Sequence, residues 1–217
     1  MKLAPVLALS VLLAACSSGP PVPDWKMNAQ SALERATGAW MAGRDLVEQN
    51  EFAHARSDIA ATGKVDLLIR AELIRCAART AALVFDECAG FAALRADASA
   101  ADIAYAAYLA GQPSDAALLP ETQRAVLAAG SDTAAAAAVK AIADPLSQLV
   151  AAGALFKANR ATPELIAQAI ATSSDQGWRR PLLAWLNVQA LRADKAGDTD
   201  EAARIRRRIA LVDTPPR

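Results

Sequence analysis

Apolar residues recur at helical spacing along most of the chain. Ala29, Leu33, Ala36 and Trp40 follow one another at +4, +3 and +4. They share one face of a helix that opens at Trp25, with Asp24 as its cap and Gly43 as its end. Phe52, Ala55, Ile59 and Thr62 make a second such face, stopped by Gly63. From residue 65 to residue 85 the pattern doubles. Leu67, Ala71, Ile74, Ala78, Ala81 and Phe85 form one stripe, and Val65, Ile69, Leu73, Cys76, Thr80 and Leu83 form another. Charge is confined to a narrow strip of Asp66, Arg70, Arg75 and Arg79. A helix that is apolar on most sides is buried on most sides. This segment is therefore expected at the centre of the fold, with neighbours on two faces.

The later helices show in their start signals. Residues 91–94 read as a short turn, and 101–110 as a helix carrying Tyr105 and Tyr108, stopped by Gly111 and Pro113. Pro120 opens a helix ending near Gly130, and Ser131 caps the alanine run 134–138. Asp144-Pro145 opens 145–158, and Thr162-Pro163-Glu164 opens 163–175. Pro181 opens 181–196, closed by Gly197, and Asp198 or Thr199 caps a last helix to about Val212. No segment alternates with β-branched residues for long enough to make a strand. Abundant alanine favours helix and lets helices approach closely.

Ala42-Gly43 and Ala196-Gly197 each join two apolar-faced helices. The second reads Leu186, Ala190, Gly197-Asp198, Ala202, which resembles a tetratricopeptide repeat. Arg206 stands where that repeat has a large apolar residue, and Thr214 where it has proline. The first joint is the weaker echo, and its turn falls at Gly43 or near Asn50. The expected fold is all-α: antiparallel helical hairpins stacked in a tetratricopeptide-like or irregular bundle arrangement, as one domain over 24–217.

The N-terminus has a different pattern. Lys2 precedes an apolar run, residues 3–13, broken only by Pro5 and Ser10. About 11 residues is roughly half of what a helix needs to cross a bilayer. A charged start, short apolar centre and small-residue end describe a secretory signal. The end is Leu13-Ala14-Ala15-Cys16, which resembles the lipobox of bacterial lipoproteins. The resemblance implies cleavage before Cys16, with 1–15 as signal peptide, a diacylglycerol on the Cys16 sulfur and an acyl chain on its amine. Two acyl chains already give stable anchoring. Ser17 in this family implies outer-membrane sorting, facing the periplasm. SSGPPVP then reads as a short Pro-rich tether, so that 16–23 hold the body off the bilayer.

Removal of residues 1–15 from 217 leaves 202, enough for a real core. Lys+Arg and Asp+Glu are both 23, so the net charge is zero. That balance argues against nucleic acid, which needs a positive field. Of three cysteines, Cys76 and Cys88 are left for a disulfide, the alternative being two separate buried thiols. Twelve residues along one helix span about 18 Å, whereas bridged Cα atoms lie within about 7 Å. A bond therefore requires the chain to turn back, with residues 85–87 as the candidate turn.

The chemistry-bearing residues are few. His54 is the only histidine, too few for the usual zinc sites or a triad. Asp194, Asp198, Asp200 and Glu201 lack calcium-loop spacing and suit a helix start. Arg204, Arg206, Arg207 and Arg208 make the last helix basic, and Trp178-Arg179-Arg180 is a second Trp/Arg spot. Trp178, Arg179, Arg180, Arg204, Arg207 and Arg208 are the candidate interaction surface, for lipid headgroups or an acidic partner. Trp178 packing on the helix behind it, and cations suiting a helix C-terminus, are the plainer alternatives. No cofactor, metal site or catalytic constellation is expected. The reading is a lipid-anchored periplasmic lipoprotein that adapts an envelope protein or peptide. Its rivals are a peptidoglycan or envelope enzyme, which requires a pocket with a buried glutamate, and a carrier of an apolar ligand, which requires a large internal cavity.

Overall fold

A computed structural model describes residues 22–214. All regular structure among them is helical. The helices are α1 (Asp24–Ala42), α2 (Asp45–Ala60), α3 (Val65–Ala81), α4 (Ala89–Leu94), α5 (Ala100–Leu109), α6 (Glu121–Leu127), α7 (Asp132–Lys140), α8 (Pro145–Lys157), α9 (Pro163–Asp175), α10 (Arg179–Lys195) and α11 (Thr199–Asp213). Single 3₁₀ turns at Arg95–Asp97 and Ala116–Leu118 join them. No described helix is long and apolar enough to cross a membrane.

Four of the starts follow their expected caps. Side-chain oxygens of Ser131, Asp144, Thr162 and Asp198 accept from backbone N–H groups three residues on. A fifth start, α5, carries a reciprocal capping box of Ser99 and Asp102 that the hydrophobic pattern does not reveal. Residues 91–94, expected as a short turn, are part of the helix α4, and other boundaries differ from expectation too. Asp24 lies inside α1 behind Pro23 and makes no capping bond. α10 begins two residues before Pro181, which fits because proline lacks only an N–H that the first turn leaves free. α3 stops at Ala81, not Phe85. Leu83 takes a left-handed φ of 58°. Its N–H donates to Thr80 and that of Val84 to Arg79, the Schellman pattern that ends helices.

α1 and α2 form an antiparallel hairpin turning at Gly43, and α10 and α11 another turning at Gly197. The antiparallel sense of the second shows in its contacts. Arg179 at the start of α10 bonds the Asp213 carbonyl at the end of α11, and Arg206 pairs with Asp194. α3 is central, touching α1, α2, α4, α5 and α8. α1 also lies against α10, so the two hairpins meet and the helices close into an irregular bundle.

The main core gathers Met41, Ala81, Val126, Leu149, Leu165 and Trp185, with many alanines between them. Smaller clusters fill the α1–α2–α3 junction (Ala36, Phe52, Ile59, Ala71) and the α3–α4 junction (Ile69, Leu73, Phe91). The C-terminal end of α3 is a meeting point. The Trp40 indole N–H donates to the Ala78 carbonyl at 3.0 Å, and that of Trp185 to the Ala81 carbonyl at 3.2 Å. Both carbonyls belong to the last turn, where a helix has no partners of its own to offer. Two buried tryptophans, one from each hairpin, are thereby fixed on α3.

Candidate functional site

The most apolar cleft among the described residues is an open groove of about 650 Å³ along α1 and α3. Its floor is Ala29, Met41, Ile59 and Ala71, all buried. Leu33, Leu67 and Ile74 form its walls. Ile74 is 41% exposed although it lies on the stripe expected to be buried. Trp25 stands at the N-terminal end of α1, with the Lys64 ammonium 5.3 Å from its ring. Trp178 and Leu146 close the other end, where Arg180 holds the Trp40 carbonyl. Lys26, Glu34 and Arg70 are exposed and form the rim. No buried polar side chain lines the groove.

Gly38 lines the groove from inside α1, four residues before its end. A Cβ built there meets nothing within 4 Å. Glycine inside a helix costs about 0.5–1 kcal/mol relative to alanine. Nothing in the folded body requires that glycine, in contrast to Gly153, whose added Cβ would lie 2.2 Å from the Thr80 carbonyl oxygen.

The sequence-predicted residues are distributed otherwise. Cys16 and the tether up to residue 21 lie outside the described residues. Cys76 and Cys88 are bridged, with Cα atoms 5.7 Å apart. The chain turns back at Ala82 and Leu83, earlier than residues 85–87, because the left-handed Leu83 ends α3 there. Asp86 sits beside the two sulfurs but is held by Arg79 at 2.6 Å. A second cavity of about 380 Å³ adjoins this bridge, lined by Thr80, Phe85, Arg95 and Lys157 among others.

Of the candidate interaction residues, Arg179 and Arg180 make intramolecular contacts. Arg179 donates to the Val212 and Asp213 carbonyls at 3.0 and 2.7 Å. Arg180 donates to the Trp40 carbonyl at 2.8 Å, pairs with Asp45, and lies 3.8 Å over the Trp40 ring. Arg79 covers that ring at 4.7 Å. Arg204 pairs with Glu201, and Arg208 reaches the Ser174 hydroxyl at 3.4 Å. Arg207 is exposed with no polar partner among the described residues. Trp178 alone of the six joins the groove. Asp198 caps α11 and Asp194 pairs with Arg206 at 2.6 Å, so these acidic groups serve the hairpin. His54 is exposed on α2.

Two glutamates are buried, Glu48 and Glu72. Glu48 accepts twice from Arg75, at 2.6 and 3.0 Å, and Glu72 pairs with Arg56. Each carboxylate is thus matched by a guanidinium, the arrangement a buried charge requires. Their signal in the sequence was helical spacing: Glu48 lies four residues before Phe52 on the buried face of α2.

No known family model, curated protein or solved structure matches this chain.

Proposed function

We propose that this chain is an outer-membrane lipoprotein, anchored through acylated Cys16 and facing the periplasm. Its helical body is a non-catalytic adaptor that takes the apolar face of a partner helix into the α1–α3 groove. One observation carries the adaptor reading: the groove is apolar on floor and walls and charged only at its rim. Amphipathic helices are recognised in such clefts, by apolar anchors along one face and polar contacts at the edge. The unneeded glycine at position 38 supports it, since a helix without a side chain there lets another backbone come close. The tether, by its shortness, keeps the body at the membrane surface.

Two measurements test this. Cells fed labelled palmitate are expected to yield labelled protein in the outer-membrane fraction, and Cys16→Ser to abolish both label and fractionation. Label that survives the substitution sinks the lipoprotein reading. A photoactivatable residue at Gln30, on the groove rim, is expected to capture one envelope protein in living cells. The same residue at Leu211, 76% exposed on α11, is expected to capture none. Equal adducts from both positions, or none from either, sink the adaptor reading.

A further inference from the structure

We infer that the α1–α3 groove is a hydrocarbon site whose first occupant is one of the acyl chains on this protein's own Cys16, held there until that chain enters a bilayer. The inference rests on the lipoprotein reading above and adds a ligand and a control to the same groove.

The groove chemistry points to an alkyl chain. Small-molecule sites enclose about 300–1,000 Å³ and use a few buried polar groups to fix orientation. This groove has the volume, about 650 Å³, but no buried polar side chain. It can bury methylenes and has nothing to pair with a desolvated headgroup or an open peptide backbone. Gly38 leaves part of the groove unfilled, at a cost in helix propensity that no neighbour explains.

The tether makes Cys16 the nearest source of such a chain. Trp25 stands at the groove entrance, and Cys16 lies nine residues before it. Asp24 and Trp25 already belong to α1, so only residues 16–21 precede the described chain, and six extended residues reach about 20 Å. The Trp25 end of the groove lies within that reach, and an acyl chain entering there runs along α1 toward Met41, about 24 Å from Trp25. A tether this short holds its end at roughly millimolar effective concentration, well above that of a freely diffusing partner. The consequence is a coupling: the groove is filled in protein outside the membrane, and it opens to a partner when the acyl chains insert.

The mature chain, Cys16 to Arg217, has one free thiol once Cys76 and Cys88 are bridged. Alkylation of Cys16 with a hexadecyl chain brominated at several positions along its length places contact quenchers of tryptophan on the tether. The expected result is loss of Trp25 and Trp178 emission, unchanged on dilution and restored by phosphatidylcholine vesicles. Gly38→Phe, which fills the groove, and Ile74→Glu, which puts a charge on its wall, are each expected to restore emission. Leu211→Phe is expected to leave it quenched. Circular dichroism of each variant checks that the helices persist. Emission equal to that of protein carrying an unbrominated chain overturns the inference, as does quenching that disappears on dilution or persists in both groove variants. The native protein is weighed separately. No acyl mass on Cys16 overturns the lipoprotein reading and this occupant with it. An acylated Cys16 beside an unquenched groove overturns the inference alone.

Discussion

Two glycines inside helices separate local preference from tertiary demand. Gly38→Ala adds a methyl group to open space and removes a poor helix former, so it is expected to stabilise the fold by about 0.5–1 kcal/mol. Gly153→Ala drives its methyl group onto the Thr80 carbonyl, a backbone group that cannot swing aside. Overpacking of this kind costs about 1–3 kcal/mol. Urea denaturation of the two variants is expected to show midpoints shifted in opposite directions. Tyr108 is a third informative residue. Its hydroxyl donates to Gln123 Oε1 at 2.7 Å, and both residues are buried. Tyr108→Phe leaves a buried acceptor unpaired and is expected to cost about 1–3 kcal/mol. Burial also pushes the Tyr108 hydroxyl far above the ordinary phenol value of 10.0, and that of the half-buried Tyr105 up to about 12. The folded state then keeps protons that the unfolded chain releases. Stability from this source is complete below pH 10.0 and falls as pH rises toward about 12. Denaturation midpoints measured across that window are expected to decline, and Tyr105→Phe to flatten part of the decline.

Among the elements, α3 has the most to explain, because both hairpins are fixed on its C-terminal turn. The doubled apolar stripes of residues 65–81 made its central place legible, and Ile69, Leu73, Cys76 and Ala78 are indeed buried. Its end was not legible. Helices usually stop with a glycine in the left-handed conformation, and here Leu83 takes that role. The helical period runs on through Phe85 although the helix does not. Phe85 instead enters the loop and stacks near Phe156, with ring centres 6.3 Å apart. The Cys76–Cys88 bridge ties that loop back to α3. Closing a loop of this size restricts the unfolded chain by about 3 kcal/mol. Cys88→Ser is expected to lower stability by about that amount and to speed amide exchange in α4 more than in α10. Intact mass checks the bridge itself, since the oxidised protein weighs less than the reduced one by two hydrogens.

At the scale of the whole molecule, the closure of the bundle depends on Arg180. Its guanidinium reaches the Trp40 carbonyl across 140 positions of sequence, stacks on the Trp40 ring and pairs with Asp45. Arg180→Ala is expected to cost about 1.5–3 kcal/mol, the range for hydrogen bonds to charged groups. Asp45→Ala is expected to cost far less, because that carboxylate is exposed. Arg180→Lys is not expected to rescue the loss, since lysine has neither the planar face nor the fork. A double-mutant cycle between positions 180 and 45 separates the stacked part from the ionic part. The sequence pattern marks part of this joint as an interaction surface. Trp178-Arg179-Arg180 does mark an interface, but Arg179 and Arg180 join parts of this chain, and only Trp178 reaches the groove.

The sequence by itself determined the all-helical class, most helix starts, the buried stripe of α3 and the even cysteine pair. Each depends on residues within a few turns of one another, where a cap, a proline or a 3.6-residue period acts locally. The tertiary structure alone decided that α1 meets α10, that Glu48 and Glu72 are neutralised by Arg75 and Arg56, and that Gly38 faces open space while Gly153 touches α8's neighbour. Those features depend on which surfaces meet after the chain has folded back on itself. A periodic pattern records that a face is apolar, but the partner of that face lies elsewhere in the chain and leaves no mark beside it. The groove is the clearest case: α1 and α3 were each recognisable as apolar-faced helices, and only their placement side by side left part of both faces uncovered.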